Sequence, residues 1–417
     1  MEFRRVVVTG LGTINPIGNS VAEYWENLEN GVSGSGMITH FDASKFKTQF
    51  ACEVKNFDPT EHFDRKEVRK LDLYTQYALV AVKEAMADCD LDLESEDLTK
   101  AGVIWGSGIG GIKTFLDEVK GYANGDGTPR FSPFFIPKMI SDIAAGHISM
   151  KYGFQGPNYG TVSACASSSH AIIDAMNYIR LGKADVFITG GSEASVNEAG
   201  LGGFNSMQAL STNNEEYQTA SRPFCKSRDG FVMGEGAGCL ILEEYEHAKA
   251  RGAKIYAEVV GGGMSGDAYH LTATHPEGRG AINSMKMALN DADLKPEDID
   301  YINVHGTSTP VGDIPETKAV QTVFGEHAYK LNISSTKSMT GHLLGAAGSV
   351  EAIASILAIN NQIVPPTINH KEKDPEIDER LNLTLHKAQK REIRAALSNT
   401  FGFGGHNASV IFKSFSE

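Results

Sequence analysis

The sequence predicts a layered α/β protein built from two related halves. Short apolar stretches that end at Gly or at a charged residue alternate with amphipathic stretches along the whole chain. Strand–loop–helix patterns seen in the first part of the chain also recur in the second. We therefore expect α/β layers with mostly parallel strands. No Pro- or Ser-rich stretch separates the halves, so we expect one body with a shared interface.

The first half contains one clear amphipathic helix and four buried strands. The helix is predicted within residues 72–90, where apolar side chains recur at helical spacing. The strands are predicted in RRVVVTGLG (4–12), AGVIWGSGIG (101–110), ADVFITGG (184–191) and CLILEEY (239–245).

The second half repeats this organisation. It opens with a strand and glycines at residues 254–267 and closes with a strand at residues 394–413. A strand–loop–helix unit at residues 161–179 has its counterpart at residues 332–359. Two copies that meet at a pseudo-twofold axis would bring these two loops face to face. We place the boundary near residue 255, which gives halves 1–255 and 256–417.

Composition excludes several classes of protein. The 417 residues carry a formal net charge of −14, which disfavours nucleic acid and anionic membranes as main partners. Five cysteines without a CxxC spacing argue against a disulfide framework and a zinc site, and they fit a reducing compartment. No run of 18 apolar residues occurs, and we expect a cytoplasmic protein.

Cys165 is the first candidate for chemistry. It lies in TVSACASSSHAI (161–172), just before a stretch that is apolar on nearly every side and predicts a buried helix. A thiol at a helix N-terminus has a lowered pKa and more thiolate, which suits a nucleophile. The hydroxyls of Ser163 and Ser167–Ser169 can satisfy the free N–H groups of the first helical turn. The alternative is packing, because free Cys is often buried.

Three further loops contain candidate residues. His305 ends a strand and precedes a hydroxyl-rich loop, whereas Lys337 and His342 precede a helix of small residues. Phe403 lies between glycines in FGFGG, a turn whose backbone N–H could point inward. Each has a structural alternative: a hydrogen-bonding histidine, a solvated lysine or an ordinary turn.

Taken together, these motifs resemble the β-ketoacyl-acyl-carrier-protein synthases, most closely the long-chain elongating type II. The resemblance runs from VVVTGLG to VIFK, essentially the whole chain. It implies the thiolase fold, a five-layered αβαβα sandwich of two duplicated halves, and a homodimer. It also implies an acyltransferase of fatty acid biosynthesis without a metal or other cofactor, whose substrates carry phosphopantetheine on an acyl carrier protein.

The resemblance assigns a catalytic role to each candidate. Cys165 would receive the acyl chain, and malonyl-carrier protein would then lose CO₂. His305 and His342 would donate hydrogen bonds to the enolate oxygen, since imidazoles can donate without a permanent charge. Lys337 would orient or polarise His342. The backbone N–H groups of Cys165 and Phe403 would hold the tetrahedral oxyanion.

The resemblance also implies the residues on the substrate side. Thr307 and Thr309 resemble hydroxyls that bind the pantetheine arm, and Ile109 and Phe204 resemble residues that border the acyl tunnel. For Ile109, core packing is an equal alternative. The remaining substrate-side assignments are Asp267, in a second gating loop with His270, and Glu351, a carboxylate that supports the Lys337 network.

A basic helix face is the predicted docking site for the acidic carrier protein. Residues 65–70, RKEVRK, place four cations on one side of a helix: Arg65, Lys66, Arg69 and Lys70. The alternative is a solvated, salt-bridged face, because acidic residues are interleaved with them.

Two other functions remain open at this point. His406 in GGHN, Cys225 and Asn213 depart from the common pattern, and the motifs are shared with ketosynthases of polyketide or specialised lipid pathways. More remotely, VVVTGLGTINPIG could be the glycine turn of a nucleotide-dependent oxidoreductase, with Tyr245 and Lys249 in YEHAK as a Tyr-x-x-x-Lys pair.

Overall fold

The structure, a computed structural model, describes residues 3–416. The helices in this range are α1 (Val21–Glu29), α2 (Arg65–Lys70), α3 (Leu73–Cys89), α4 (Ile112–Ala123), α5 (Phe135–Met139), α6 (Ile143–Tyr152), α7 (Ser167–Arg180), α8 (Glu198–Ser206), α9 (Tyr245–Ala250), α10 (Arg279–Asp291), α11 (Asp313–Phe324), α12 (Lys337–Thr340) and α13 (Ala347–Asn361). The strands are β1 (Val6–Ile14), β2 (Gly36–Met37), β3 (Phe50–Ala51), β4 (Ala101–Gly106), β5 (Asn158–Thr161), β6 (Val186–Glu193), β7 (Gly236–Glu244), β8 (Ala257–Gly266), β9 (Tyr301–Asn303), β10 (Asn332–Ser334), β11 (Ile363–Val364), β12 (Gln389–Lys390), β13 (Ala395–Gly402) and β14 (His406–Lys413).

Ten of these strands form one sheet in the order β10-β9-β13-β14-β8-β1-β7-β6-β4-β5. Read outward from the β1–β8 contact, both halves have the same order: first strand, last strand, fourth, second and third. Within the sheet, the strands of the two halves pair through two residue pairs, Val7 with Glu258 and Val8 with Ala257. The predicted duplication is confirmed by this topology, whereas the boundary near residue 255 stays a prediction.

The expectation of mostly parallel strands is wrong. Parallel pairing is confined to the outer strands, β6-β4-β5 and β13-β9-β10. The central strands are antiparallel because the last strand of each half returns beside the strand before it. In the second half, this return is the tight turn between β13 and β14. The direction of a strand cannot be inferred from an apolar run, since strands buried on both faces have the same composition in parallel and antiparallel pairs.

Helices and sheet halves stack in five layers. Helices α3 and α6 cover the outer face of the first half, and α10 and α11 cover that of the second. Helices α7 and α13 lie between the halves and pack against apolar side chains of β7 and β14. The helix predicted within residues 72–90 is α3. Both central helices are apolar on several faces, as expected of helices enclosed by two sheets.

The glycines of VVVTGLG serve packing and not phosphate binding. They lie inside β1 and not in a turn between a strand and a helix. A Cβ at Gly10 would lie 2.4 Å from the Ala85 carbonyl oxygen, and one at Gly12 would lie 2.0 Å from that of Ala81. Both glycines therefore let α3 approach the strand, and the nucleotide-binding alternative is wrong. Among residues 3–416, no helix combines the length and apolarity needed to cross a membrane.

Candidate active site

Cys165 lies on a short 3₁₀ turn, Ala164–Ala166, that leads directly into α7. Ala164 has a left-handed φ of 50°, which turns the chain sharply between β5 and the helix. The backbone N–H of Ser163 donates to Ser167 Oγ at 2.9 Å, and this hydroxyl donates to the Ala164 carbonyl at 2.7 Å. The Ser167 hydroxyl thus stabilises the turn that holds the thiol. The predicted capping of the first helical turn by the serines is wrong, because no side chain in the described part of the chain caps α7 and the hydroxyls of Ser163 and Ser168 bond elsewhere.

Two histidines from the second half meet this sulfur. Cys165 Sγ lies 3.0 Å from Nε2 of His342. The sulfur and one ring nitrogen each of His305 and His342 lie within 4.8 Å of one another. The two imidazole rings are 5.2 Å apart between centroids and nearly perpendicular, at 88°. Loops that follow β9 and α12 therefore converge on the turn that precedes α7.

Both imidazoles are neutral at physiological pH. Burial, followed by the positive charge of Lys337, lowers the pKa of His305 and of His342 well below 6.5. Phe401 packs beside His305 with ring centroids 5.7 Å apart, and Phe231 packs edge-on against His342 at 5.3 Å. A neutral ring in this apolar setting can donate one hydrogen bond to an anion that forms next to it.

Lys337 and Glu351 form a buried ion pair behind the histidines. Lys337 Nζ donates to Glu351 Oε1, and both side chains are almost fully enclosed. Burial raises the pKa of Glu351 to about 7, although the nearby lysine opposes this effect. Lys337 acts on both imidazoles through its charge, and its role in orienting or polarising His342 stays a prediction.

The thiol itself differs from the sequence expectation. Burial raises the pKa of Cys165 to about 12, against the lowering effects of Lys337 and of the backbone N–H groups of Phe403 and Cys165. Burial thus opposes the ionised sulfur that the sequence predicts, and the role of the helix end in forming the thiolate stays a prediction. His342 Nε2, at 3.0 Å, is the nearest group that can accept the thiol proton.

A cavity of about 400 Å³ opens in front of the sulfur. Its wall includes most of the predicted site residues: Cys165, His305, His342, Phe403, Thr307, Thr309, Phe204 and Asp267. The hydroxyls of Thr307 and Thr309 lie 3.1 Å apart in the loop after β9. The predicted catalytic and pantetheine-binding groups thus share one chamber.

The loops of Phe403 and Asp267 are tied to each other at this chamber. The Asp267 carboxylate accepts a hydrogen bond from Asn407 Nδ2 at 2.9 Å, and its backbone N–H donates to the Gly405 carbonyl at 2.9 Å. Gly404 N–H donates to the Leu271 carbonyl at 2.7 Å. The Asp267 carboxylate thus bonds to the opposite loop and, through the N–H of His275, to its own loop.

Two predicted substrate-side residues do not line the cavity. Glu351 is buried against Lys337, and Ile109 packs one layer behind the wall in an apolar cluster with Phe204 and Leu344. Sequence inspection missed Phe231 and Leu344, which do line the cavity. Phe231 lies in the glycine-rich stretch RDGFVMGEG, a signal that could have marked a functional loop.

The four predicted docking cations lie on α2, and all of them are exposed. The neighbouring acids do not form the expected salt bridges with them. Asp64 Oδ1 caps the helix by accepting from Lys66 N and Glu67 N, and Glu67 Oε2 accepts from Asp64 N. Because these carboxylates serve as caps, the cationic side chains stay available to solvent.

The donor set of the site suits proton transfer better than a resident metal. A sulfur and two imidazole nitrogens could bind a soft cation such as zinc. Histidines that bind metals, however, normally donate the other ring N–H to an acceptor. Nδ1 of His305 and Nδ1 of His342 are both buried without a hydrogen-bond partner in residues 3–416. The residues present therefore do not fit a tightly held ion.

Sequence comparison agrees with this geometry. Residues 3–248 match the family model for the N-terminal domain of beta-ketoacyl synthases, and residues 256–371 match that for the C-terminal domain. The chain belongs to the β-ketoacyl synthase family. Its five layers are those of the thiolase fold.

Relatives of this β-ketoacyl synthase match it along its whole length. The 3-oxoacyl-[acyl-carrier-protein] synthase 2 of Staphylococcus aureus (strain COL) is 50% identical over 99% of both chains. The protein of the same name from Synechocystis sp. is 49% identical over 100% of this chain and 99% of its own. A solved type II PKS acyl-carrier protein in complex with its ketosynthase contains a chain with a TM-score of 0.90 and 35% identity, covering 99% of this chain and 100% of that one.

Proposed function

We propose that this β-ketoacyl synthase condenses an acyl chain held on Cys165 with malonyl-acyl-carrier protein. The products would be 3-oxoacyl-acyl-carrier protein, CO₂ and free carrier protein, in the elongation of fatty acids. The observation that carries the proposal is the thiol 3.0 Å from His342 Nε2, with a second neutral imidazole beside it. The names and full-length identity of the relatives support the same reaction.

Acylation begins when Cys165 attacks the thioester of an acyl-carrier protein. A new carbon–sulfur bond forms to Cys165, and the carbon–sulfur bond to pantetheine breaks. The thiol proton passes to His342 as the sulfur attacks, and then to the departing pantetheine sulfur. The N–H groups of Cys165 and Phe403 act on the same sulfur, so they can stabilise the oxyanion that forms on the adjoining carbonyl.

In the condensation step, the histidines act as hydrogen-bond donors to the malonyl group, whereas in acylation His342 accepts a proton. Cleavage of the terminal C–C bond of the malonyl group releases CO₂ and leaves an enolate, whose oxygen would accept hydrogen bonds from His305 and from His342. For this step His342 carries its ring proton on Nε2, the tautomer opposite to the one that accepts the thiol proton. The enolate carbon then attacks the acyl carbonyl on Cys165, and the thiolate leaves and takes up one proton. Neutral imidazoles suit this role because a buried imidazolium would bind the malonyl carboxylate and oppose its loss.

Intact-mass analysis after incubation with acyl-carrier proteins tests the first step directly. We expect one acyl group per chain, absent in Cys165→Ala and retained in Cys225→Ser, a second buried cysteine outside the cavity. Cys165→Gln, whose amide imitates an acylated cysteine, should still decarboxylate malonyl-carrier protein. Elongation by the Cys165→Ala protein would show that the nucleophile is wrongly assigned.

The same assay separates fatty acid elongation from polyketide synthesis. A synthase of fatty acid elongation should stop after one condensation when no reductase is present, because its substrates are acyl chains whose 3-oxo group has been reduced. A polyketide ketosynthase would accept its own 3-oxo product and add further units. Repeated extension in a mixture with malonyl-carrier protein alone would therefore replace our assignment with the polyketide one.

The basic face of α2 is the proposed docking site for the acidic carrier protein. Its support is the exposure of Arg65, Lys66, Arg69 and Lys70 while the nearby acids act as helix caps. Charge reversal at Lys66 and Arg69 should raise KM for carrier-bound substrates and leave kcat nearly unchanged. Lys183→Glu, at an exposed lysine outside α2, is the matched control. An equal rise in both variants would refute the assignment.

The free edge of the sheet supports a homodimer. At one end, β10 is buried and Asn332 forms a bridge to Asn382. At the other end, β5 is only half-buried, and the apolar side chains of Met150 and Val162 nearby are 70% and 61% exposed. Light scattering should give twice the chain mass, and Val162→Glu should shift it toward the monomer. A wild-type monomer at micromolar concentration would contradict the dimer.

A further inference from the structure

The fold contains two copies of the turn that carries the nucleophile. The 3₁₀ turn Ala164–Ala166 precedes α7, and the 3₁₀ turn Leu344–Ala346 precedes α13. The first residue of each turn has the same left-handed φ of 50°. The place of Cys165 in the first copy is therefore taken by Gly345 in the second.

The two copies differ in what their backbone N–H groups face. In the first copy, the backbone N–H groups of Phe403 and Cys165 lower the pKa of the reactive sulfur, and both residues line the cavity. In the second copy, the N–H of Gly345 donates to Glu193 Oε2 at 3.0 Å. A carboxylate of the chain itself thus fills the second anion site, whereas the first is open to the cavity.

Glu193 joins this second turn to the loop after β4. Its Oε2 also accepts the N–H of Gly108 at 2.8 Å, and its Oε1 accepts the N–H of Ile109 and the hydroxyl of Ser107, each at 3.2 Å. The side chain is fully buried. Burial raises its pKa to about 7, and the four donors oppose this rise.

One of the joined segments lines the cavity beside Cys165, and the other packs directly behind it. Leu344 lines the cavity, and Ile109 packs with it in one apolar cluster that includes Phe204. The two segments are in close van der Waals contact, since a Cβ at Gly345 would lie 2.2 Å from the nitrogen of Gly108. Because the two segments are packed this closely, loss of the Glu193 carboxylate should displace the segment of Ile109 or that of Leu344.

We propose that Glu193 is a positioning residue that sets the shape of the acyl chamber by holding Ile109 and Leu344 in place. This inference rests on the proposed function, because it assumes that the chamber receives an acyl chain. A long chain that extends past Leu344 would reach the apolar cluster that contains Ile109, whereas a short chain would end before this cluster. Glu193 therefore acts on chain-length selectivity, and it does not touch the reacting atoms.

Glu193→Gln tests the proposal with a nearly isosteric change. The amide nitrogen of Gln is a donor, so in either orientation it faces N–H groups that need an acceptor. We expect kcat/KM for long acyl-carrier proteins to fall about tenfold relative to short ones, as wall displacements of an ångström or less can do. Glu84→Gln is the matched control, because Glu84 also accepts two backbone N–H groups, each at 2.8 Å, away from the cavity.

Ser107→Ala provides a milder second variant, since it removes only one donor from Glu193. It should shift selectivity in the same direction by a smaller factor, and it decides the matter if Glu193→Gln does not fold. An unchanged long-to-short ratio in a folded variant, or an equal shift in Glu84→Gln, would overturn the proposal. If the wild-type protein accepts no acyl group of any length, the proposed function itself fails, and the chamber assignment fails with it.

Discussion

At the residue scale, the site depends on two imidazoles that are kept neutral first by their burial and then by a buried cation. Lys337 lies close enough to lower the pKa of both His305 and His342, and Glu351 balances its charge. The lysine can therefore serve the reaction without contacting substrate. This arrangement also explains why a positive charge is tolerated at a nearly inaccessible position, since an unpaired buried ammonium would be costly.

Removal of this charge should shift the pH dependence of malonyl decarboxylation. In Lys337→Met/Glu351→Gln, the pair is replaced by neutral groups, which avoids a lone buried carboxylate. The histidine pKa values should rise, and because the neutral form is active, the acid limb of the rate profile should move to higher pH. Stopped assays across the acidic range measure this limb. A limb that stays in place while activity falls would mean that Lys337 is only structural.

At the scale of elements, the distance between β13 and the nucleophile turn matters most. Gly402 ends β13 directly beside that turn. A Cβ on it would lie 2.9 Å from the Ser163 carbonyl oxygen and 3.0 Å from the backbone nitrogen of Cys165. These contacts are with backbone, so a side-chain rotation cannot relieve them. The two N–H donors of the open anion site are held together by this close packing.

Gly402→Ala should therefore impair acylation far more than folding. The strand would have to move by a few tenths of an ångström, which separates the N–H of Phe403 from that of Cys165. Loss of one oxyanion donor costs about 3 kcal/mol of barrier, or roughly a hundredfold in the acylation rate. Rapid-quench mass analysis of acyl transfer measures this rate. Gly203→Ala is the control, because a Cβ at Gly203 in α8 meets no atom within 4 Å. Equal acylation rates in the two variants would contradict the prediction.

At the scale of the whole molecule, a network distant from the site links stability to pH. His247 on α9 lies 2.9 Å from Glu243 at the end of β7 and 2.9 Å from Glu96. Hydrogen bonding to Glu243 raises the pKa of His247 to about 9. Although burial opposes it, bonding to Arg251, His247 and Thr9 lowers the pKa of Glu243 to about 2. Both shifts favour the charged forms.

The free energy of unfolding should therefore decline at both ends of the pH range. The His247 contribution is complete below its ordinary pKa of 6.5 and disappears as pH rises through about 9. The Glu243 contribution is complete above 4.5 and is lost as pH falls toward 2. Urea unfolding of His247→Gln should show no alkaline decline of this origin, whereas His386→Gln, at an exposed histidine, should retain it. A wild-type unfolding free energy that stays constant between pH 6.5 and 9 would refute this.

Sequence patterns predicted the chemistry of this molecule better than its geometry. Cys165, His305 and His342 each lie in a local motif with turn or cap residues, so each was visible without knowledge of the others. Strand direction was not visible, because residues buried on both faces carry no alternation. The raised pKa of the thiol, the wall formed by Phe231 and the role of Glu193 depend on segments far apart in the chain. No local pattern records such contacts.

The two 3₁₀ turns before α7 and α13 have the same backbone shape but different roles in the molecule. Because only one of the two repeated turns carries the nucleophile, the other can serve packing alone. In the second copy, the carboxylate of Glu193 accepts the backbone N–H of the turn. Gly345 has no reactive side chain, and its small size allows close contact with Gly108. The same backbone turn therefore serves two purposes: in the second half it holds neighbouring segments rigidly together, and in the first half it presents the nucleophile.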